Sequence, residues 1–533
     1  MELCNNDPEY ANQLVKQINR YMPHLKDTSF RCIPAAILSK TFPRTNQLNR
    51  FISIKGTIIK TGAILFKNIN DEWVCMKCDE KICGNKIKSI MCESCGSTDI
   101  IKKTSYEKAS THQIIRLQDI GNPNTMSDTI EVVLEGDLAG KYTTGQRIIV
   151  SGIVALKTGL LKENEDINPT IYIKGLHIEQ LDFEMEEDYQ NGYLEYFRTK
   201  SEFEKRKMLL DFFCSEISGL THVKLGLLCA LVGCGSKPGP RMNCHILLVG
   251  DPGMGKTHLM KECMRLVTPS VKVNGIGTSD AGLTVCAVKQ GNEWTLEPGA
   301  LVLADGGICC IDEFTSLRTS DRGGLLEAME QQTLSVAKAG MVVTLSSRCS
   351  IISACNAKSV GDNLSQKISS PLISRFDLIF GIFDQREVEE DIKLTNKILG
   401  RGNIIDKSDI SDLSKWTHST LKHYLGVAKQ IQVNTNEEVN EIISKYFYYK
   451  KRNDKEITIR MLEGIIRLAS SLSKLVCSDA ISIESAYCAI LLVECCLNMK
   501  RLVDFDPERV FNDEEEFNST ILKLRDILKI NKK

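Results

Sequence analysis

The run Gly250-Asp251-Pro252-Gly253-Met254-Gly255-Lys256-Thr257 has the spacing G-x-x-x-x-G-K-[ST], which suits a polyphosphate. Its glycines let the backbone turn so that successive N–H groups face phosphate oxygens. A helix starting after Thr257 would offer its positive N-terminus to the same anion. Lys256 is placed to reach the β- and γ-phosphates, and the Thr257 hydroxyl to join a Mg²⁺ shell. Downstream, the apolar strand Ile308-Cys309-Cys310-Ile311 ends in Asp312-Glu313. Asp312 then holds Mg²⁺ and Glu313 polarises the attacking water. Asn356 closes a further strand, Ser350 to Cys355, where a neutral amide can orient that water. Arg375, in Ser374-Arg375-Phe376-Asp377, reads either as a fixed cation at a neighbour's γ-phosphate or as a structural partner of Asp377.

A second constellation is Cys75-x-x-Cys78, thirteen intervening residues, then Cys92-x-x-Cys95. Two such knuckles predict a tetrahedral Zn²⁺ site of four thiolates, whose binding energy would fold a small loop with little core. Cys83 lies between them as a weaker alternative ligand, and a redox pair is the competing reading.

Regular elements must position these groups. Ile246-Leu247-Leu248-Val249 reads as the strand feeding the phosphate loop, and Leu301-Val302-Leu303 as another strand. With Leu378-Ile379-Phe380 they predict an α/β core over 207–410. Short β-branched runs between about 50 and 180, punctuated by Gly, Asn and Asp, predict a small barrel or sandwich. It spans 46–182, with the cysteine ribbon inserted at about 73–97. Residues 1–45 read as a helical segment. The charged stretch 183–206 reads as a linker and a solvated helix. Residues 411–500 carry helical periodicity. Leu462, Ile465, Ile466 and Ala469 share one face of a helix that Thr458 could cap. Residues 501–533 read as a tail, a short helix or disordered.

Composition narrows the function classes. The 533 residues are 42% hydrophobic and 25% charged, so several globular domains are expected. The formal net charge of −1 leaves any nucleic-acid surface to local patches. Twenty-one scattered cysteines are too sparse for a disulfide scaffold and fit reduced thiols. No apolar run approaches the ~18–20 residues of a membrane helix. The polar start, Met1 to Asp7, does not read as a secretory signal.

Longer motifs then point to a family. Gly282-Leu283-Thr284, the stretch Glu293 to Asp305 (EWTLEPGALVLAD) and Ile311-Asp312-Glu313-Phe314 closely resemble the minichromosome maintenance (MCM) helicases. So do Glu327 to Gln332 (EAMEQQ), Ala337 to Gly340 (AKAG) and Ser370 to Asp377 (SPLISRFD). The resemblance runs from about 30 to 500. Thr315-Ser316-Leu317 and the short N-terminal region lean towards the repair-associated ninth paralogue over the six replicative subunits.

The resemblance implies a multidomain α+β and α/β chain. An oligonucleotide/oligosaccharide-binding (OB) barrel with a zinc ribbon would precede an AAA+ ATPase core with a helical lid. It further implies an ATP-dependent DNA helicase or translocase subunit of a hexameric, nuclear ring of MCM chains, serving replication or recombination repair. Asn356 takes the sensor-one role, Arg375 the arginine finger on the adjacent subunit, and Arg460 the second sensor in the lid. Arg467, seven residues on, reads alternatively as an i,i+4 partner of Glu463. Channel hairpins would carry Lys338 at one tip and Lys289 near another. Residues 155–173 are a third candidate, with Lys157 and Lys162. Their contacts would be to the DNA backbone, sequence-independent and salt-sensitive.

The pattern is broken at Ala357, where Pro is usual, and at Leu326, where His is common. The altered sensor loop motivates the alternative of a catalytically quiet ATP-binding scaffold subunit in a mixed ring. A clamp loader or transcription activator is disfavoured by the EWTLEPGALVLAD stretch. A generic metal-stapled interaction protein is disfavoured by the full set of Lys256, Asp312, Glu313 and Arg375.

Overall fold

The structure is a computed structural model. It describes residues 42–62, 64–68, 72–78, 81–83, 95–96, 99–103, 109–119, 128–142, 145–157, 170–180, 199–217, 219–233, 241, 243–290, 293–338, 341–356, 368–384, 418–454, 457–497 and 501–528. The helix expected over 1–45 therefore lies almost wholly outside the described residues. The same holds for most of the 183–206 stretch, and for Cys92 and Lys162. The described residues fall into two compact units. One is drawn from Met1–Asp182 and Ala287–Pro298, the other from Phe183–Cys286 and Gly299–Lys533.

In the first unit, strands β1 (Phe51–Thr61), β6 (Ala109–Asp119), β7 (Thr129–Glu135), β8 (Arg147–Lys157) and β9 (Thr170–Gln180) close a barrel. Its circuit is β1-β8-β9-β7-β6, with β1 pairing back onto β6, and β2 (Leu65–Asn68) extends β6. Only the β7–β9 pairing is parallel. Alternation builds the core: Ile130, Val132 and Leu134 of β7 point inward beside Ile54, Ile58, Ile115, Leu117, Ile148, Val150 and Ile173. Gly152 sits at a register shift in β8, where a Cβ would lie 2.2 Å from the Lys174 carbonyl oxygen. Such a bulge bends a strand enough to close a small barrel. A separate three-stranded sheet, β4 (Lys81–Cys83), β3 (Glu72–Cys75) and β5 (Ile100–Lys103), carries Cys75 at the end of its middle strand.

The second unit is built on a five-stranded parallel sheet. Its members are β10 (Ile246–Gly250), β11 (Ser270–Asn274), β14 (Ile308–Asp312), β17 (Ser350–Asn356) and β18 (Leu378–Ile382), in the spatial order β11-β14-β17-β10-β18. All five residues of β10 are buried, as are the first four of β14. Helices cover both faces of such a sheet, so its strands read as unbroken apolar runs. The hairpin of β15 (Thr333–Lys338) with β16 (Met341–Ser346) leaves the α/β pattern, and the hairpin of β12 (Val285–Gln290) with β13 (Glu293–Pro298) belongs from Ala287 to Pro298 to the first unit. The lid helices are His418–Gln430, Glu437–Asn453, Ile459–Leu475 and Ile483–Glu494. On the third of these, Ile465 and Ala469 are buried, and Leu462 and Ile466 pack partly buried against the core. Thr458 occupies its N-cap position with no side-chain capping bond.

Three expectations are corrected. Leu301-Val302-Leu303 is not a strand but the short helix Ala300–Leu303, started by the extended Gly299 directly after β13. A four-residue apolar run carries no period that separates the two states. The charged stretch ending at 206 is not a solvated helix at its described end. The helix Glu202–Phe212 begins there on a Ser201–Glu204 capping box and buries Phe203, Arg206, Leu209 and Leu210. Arg206 pairs with Glu484 and lies over the Phe203 and Phe517 rings, so the core starts before residue 207. For 501–533 the helical alternative holds over 507–528, and the correction is that this segment is no tail but part of the core. The helices Pro507–Asn512 and Glu514–Leu528 bury Val510, Phe511, Phe517, Ile521 and Leu524 in the same core as the sheet and lid. Glu508 accepts from the Thr221 N–H at 3.1 Å, at the first residue of the apolar helix Thr221–Gly233. Among the described residues no helix is long and apolar enough to cross a membrane.

Candidate active site

Parallel pairing brings the chemistry-bearing residues together. Gly250 ends β10 directly opposite Asn356 at the end of β17, and Asp312 ends β14 on the other side of β17. Three strands thus deliver their carboxyl ends to one place, where α/β sheets bind ligands. The cleft there has a volume of about 390 Å³. It is lined by Pro252, Gly253, Gly255, Lys256, Thr257, His258, Asp312, Glu313, Ala354, Cys355 and Asn356.

Gly253 and Gly255 take φ of 88° and 75°, a region where a side chain would strain the loop. Gly255 then caps the helix Lys256–Leu266. Lys256 Nζ donates to the carbonyls of Gly250 at 2.8 Å and Asp251 at 2.5 Å, so its stem lies along the loop. Burial pushes its pKa down, against the opposing pull of Asp251 and Asp312. Thr257 Oγ1 donates to Asp312 Oδ2 at 3.1 Å. A hydroxyl and a carboxylate this close are the hard oxygen donors that Mg²⁺ takes. Lys272, on the neighbouring strand β11, also reaches Asp312 Oδ2, at 3.2 Å.

Glu313 has φ of 52°, unusual for a residue with a side chain and typical of functional turns. Its Oε2 is buried with no hydrogen-bond partner among the described residues. A bare carboxylate oxygen beside the phosphate loop is what a group that accepts a proton from water needs.

Arg375 and Arg460 do not line this cleft. Arg375 does not pair with Asp377, the structural alternative. Its Nη2 donates to Glu330 and its Nη1 to the Pro371 carbonyl at 2.7 Å. Arg460 donates to the same Glu330 at 2.8 Å and to Ser374 Oγ at 2.9 Å.

Asp377 instead belongs to a buried network. Arg467 Nη2 donates to its Oδ1, the His245 N–H donates to its Oδ2 at 2.9 Å, and Arg241 stands 3.8 Å away. Arg467 also keeps the expected Glu463 contact, at 3.6 Å. Burial pushes the Asp377 carboxyl up, but Arg467 and Arg241 outweigh it and hold the pKa below the usual range. Burial, reinforced by Arg241, drives His245 down to about 3. The ring is therefore neutral. Its Nδ1 accepts from the Ile351 N–H at 3.1 Å, which leaves Nε2 to donate to the Met329 carbonyl at 3.2 Å.

The sequence reading missed Lys272, Glu330, Arg241 and His245. For His245 a signal existed, since a polar residue directly before an apolar strand is either capped or networked. Glu330 lies inside the Glu327–Gln332 motif, but its pairing and that of Lys272 carry no local signal, because their partners lie 45 residues or more away in sequence for Glu330 and on a neighbouring strand for Lys272.

In the first unit the sulfurs of Cys75, Cys78 and Cys95 lie within 4.8 Å of one another. Ligands about 2.3 Å from one metal, as thiolates are from Zn²⁺, would be spaced in this way. Backbone N–H groups of Lys77 and Cys78 pull the Cys75 thiol down to about 7. Among the lysines expected to meet DNA, Lys289 is exposed on β12. Lys338 flanks the turn of its hairpin, as expected, but its ammonium is engaged within the chain. It pairs across the ladder with Met341, and its Nζ donates to the Val285 carbonyl at 2.8 Å. Lys157 is the last residue of β8.

Family models for the MCM OB domain, the MCM P-loop domain and the MCM AAA-lid domain match residues 43–158, 195–401 and 419–497. "Probable DNA helicase MCM9" of Arabidopsis thaliana is 32% identical over 516 residues, covering 87% of this chain and 79% of that protein. Its namesake in Oryza sativa subsp. indica is 32% identical over 506 residues, covering 86% and 74%. "Probable DNA helicase MCM8" of the same rice is 26% identical over 623 residues, covering 97% and 77%. With a barrel, a phosphate-binding parallel sheet and a helical lid in the order of those three domains, and relatives aligned along most of its length, this chain belongs to the MCM family.

Proposed function

We propose that the chain is an ATP-dependent DNA helicase or translocase subunit working with other MCM chains in a ring, in replication or recombination repair in the nucleus. One observation carries this: Gly250, Asp312 and Asn356 stand at the carboxyl ends of adjacent strands around one cleft, while Arg375 and Arg460 stand outside it. A site with its loop, acid and amide in place but no arginine among the described residues that line it is completed by a neighbour's.

The backbone of Gly250 to Thr257 holds the phosphates of ATP, and Lys256 leaves its carbonyl partners for the β- and γ-oxygens. Thr257 and Asp312 would hold Mg²⁺, which supplies charge neutralisation on the phosphates. Glu313 Oε2 takes a proton from the attacking water, and Asn356 keeps that water in line. Arg375 of the adjacent subunit meets the charge that develops on the γ-phosphoryl group, with Arg460 beside it. Cys75, Cys78, Cys92 and Cys95 would hold Zn²⁺, which ties the ribbon together. Lys289, Lys338, Lys157 and Lys162 are the cations assigned to the DNA backbone.

The test is DNA-stimulated ATP hydrolysis by the purified chain, alone and mixed with a second MCM chain. Lys256→Ala should abolish turnover, and an unchanged rate would refute the site. A chain that binds ATP but never turns over in either assembly would favour the quiet scaffold subunit.

A further inference from the structure

Two arginines from different parts of the chain end on one carboxylate. Glu330 sits in the last turn of the helix Gly323–Gln331. Its Oε2 accepts from Arg375 Nη2, and its Oε1 from Arg460 Nη2 at 2.8 Å. Each arginine has a second anchor, Arg375 on the Pro371 carbonyl and Arg460 on Ser374 Oγ. One turn earlier on the same helix, Glu327 accepts from the Ser335 N–H of β15 at 2.8 Å, which steadies the helix end.

Folding stability does not account for this arrangement. Glu330 is 46% exposed, and ion pairs in such positions contribute little. A carboxylate in the last turn of a helix also opposes the helix dipole. What Glu330 does accomplish is electrostatic: two guanidinium groups this close repel, and an anion between them removes the repulsion. Burial pushes the Glu330 carboxyl up, but the bonds from Arg460 and Arg375 pull it below the ordinary glutamate range. It is therefore an anion at neutral pH.

We propose that Glu330 is a positioning residue that locks Arg375 and Arg460 into one two-cation unit, so that both address the same γ-phosphate on the neighbouring subunit. This rests on the reading above, in which the two arginines act across the subunit boundary. Glu330 touches no substrate. It sets the distance and facing of two groups that do, and small errors in such placement cost large factors in rate.

The test mixes full-length chains in the assembly that hydrolyses ATP. Lys256→Ala chains lack their own site but donate arginines, and Arg375→Ala chains have a site but lack the finger. Their mixture should recover turnover, read as steady-state kcat and KM for ATP. When the donor carries Lys256→Ala with Glu330→Gln, kcat should fall by about tenfold or more with KM unchanged. A donor with Glu330→Asp keeps the anion on a shorter arm and should give an intermediate kcat. If the Gln donor does not assemble, the Asp donor decides by the same comparison. A Glu330-substituted donor as effective as Lys256→Ala alone overturns the inference and leaves the trans reading intact. No recovery in the Lys256→Ala and Arg375→Ala mixture overturns the trans reading, and the inference with it.

Discussion

Replacing Asp377 by Asn removes a charge while keeping the shape. The side chain is 4% exposed and its partner Arg467 7% exposed, so water cannot solvate what the substitution leaves behind. Asn retains an acceptor for the His245 N–H, but Arg467 and Arg241 lose their counter-ion inside the protein. Breaking a buried pair from one side costs about 3–5 kcal/mol. For a unit of about 340 residues, with an unfolding entropy of about 2.1 cal/mol/K per residue, that corresponds to a fall in Tm of roughly 4–7 °C. Calorimetry on the full chain measures it, and a double-mutant cycle with Arg467→Met isolates the pair. Coupled residues should deviate from additivity by more than about 0.5 kcal/mol.

The pH dependence has a definite sign. The folded pKa of Asp377 lies below its ordinary value, so its stabilisation is present above about pH 4 and disappears as pH falls through the folded pKa. Asp377→Asn should lack that acid limb. A loss within about 0.5 kcal/mol, or strict additivity with Arg467→Met, would refute the argument that Asp377 is the buried counter-ion of Arg467 and Arg241.

Two further outcomes test the corrected tail and the cysteine cluster. Phe517, buried against Phe203 with a ring separation of 5.6 Å, should lose about 3–5 kcal/mol as Phe517→Ala. An unperturbed melt would show that 507–528 does not share the core. Metal analysis of the purified chain should find zinc, and Cys75→Ser or Cys95→Ser should release it and loosen the ribbon. Full retention of the metal in both variants would remove these thiols from the ligand set.

Much of the site was legible in the residues alone because its parts are local. The phosphate loop is a contiguous run whose glycines and lysine act through backbone geometry within eight positions. Asp312-Glu313 and Asn356 announce themselves by ending apolar strands. The paired Cys-x-x-Cys spacings are likewise short-range. What misled was equally local. Leu301 to Leu303 is too short to show a period, and the amphipathic segment within 501–533 gave no sign of the distant helices its apolar face packs against.

Sequence by itself determined which residues can bind phosphate, hold a metal or move a proton, since those capacities belong to side-chain types and short spacings. Only the tertiary structure decided which charges meet. Asp377 could have taken Arg375, two residues away, but took Arg467 and Arg241. Glu330 drew in Arg375 and Arg460 from 45 and 130 residues downstream. Those choices depend on strand order and helix packing, which place groups from remote parts of the chain within a few ångströms, and no local pattern encodes that distance.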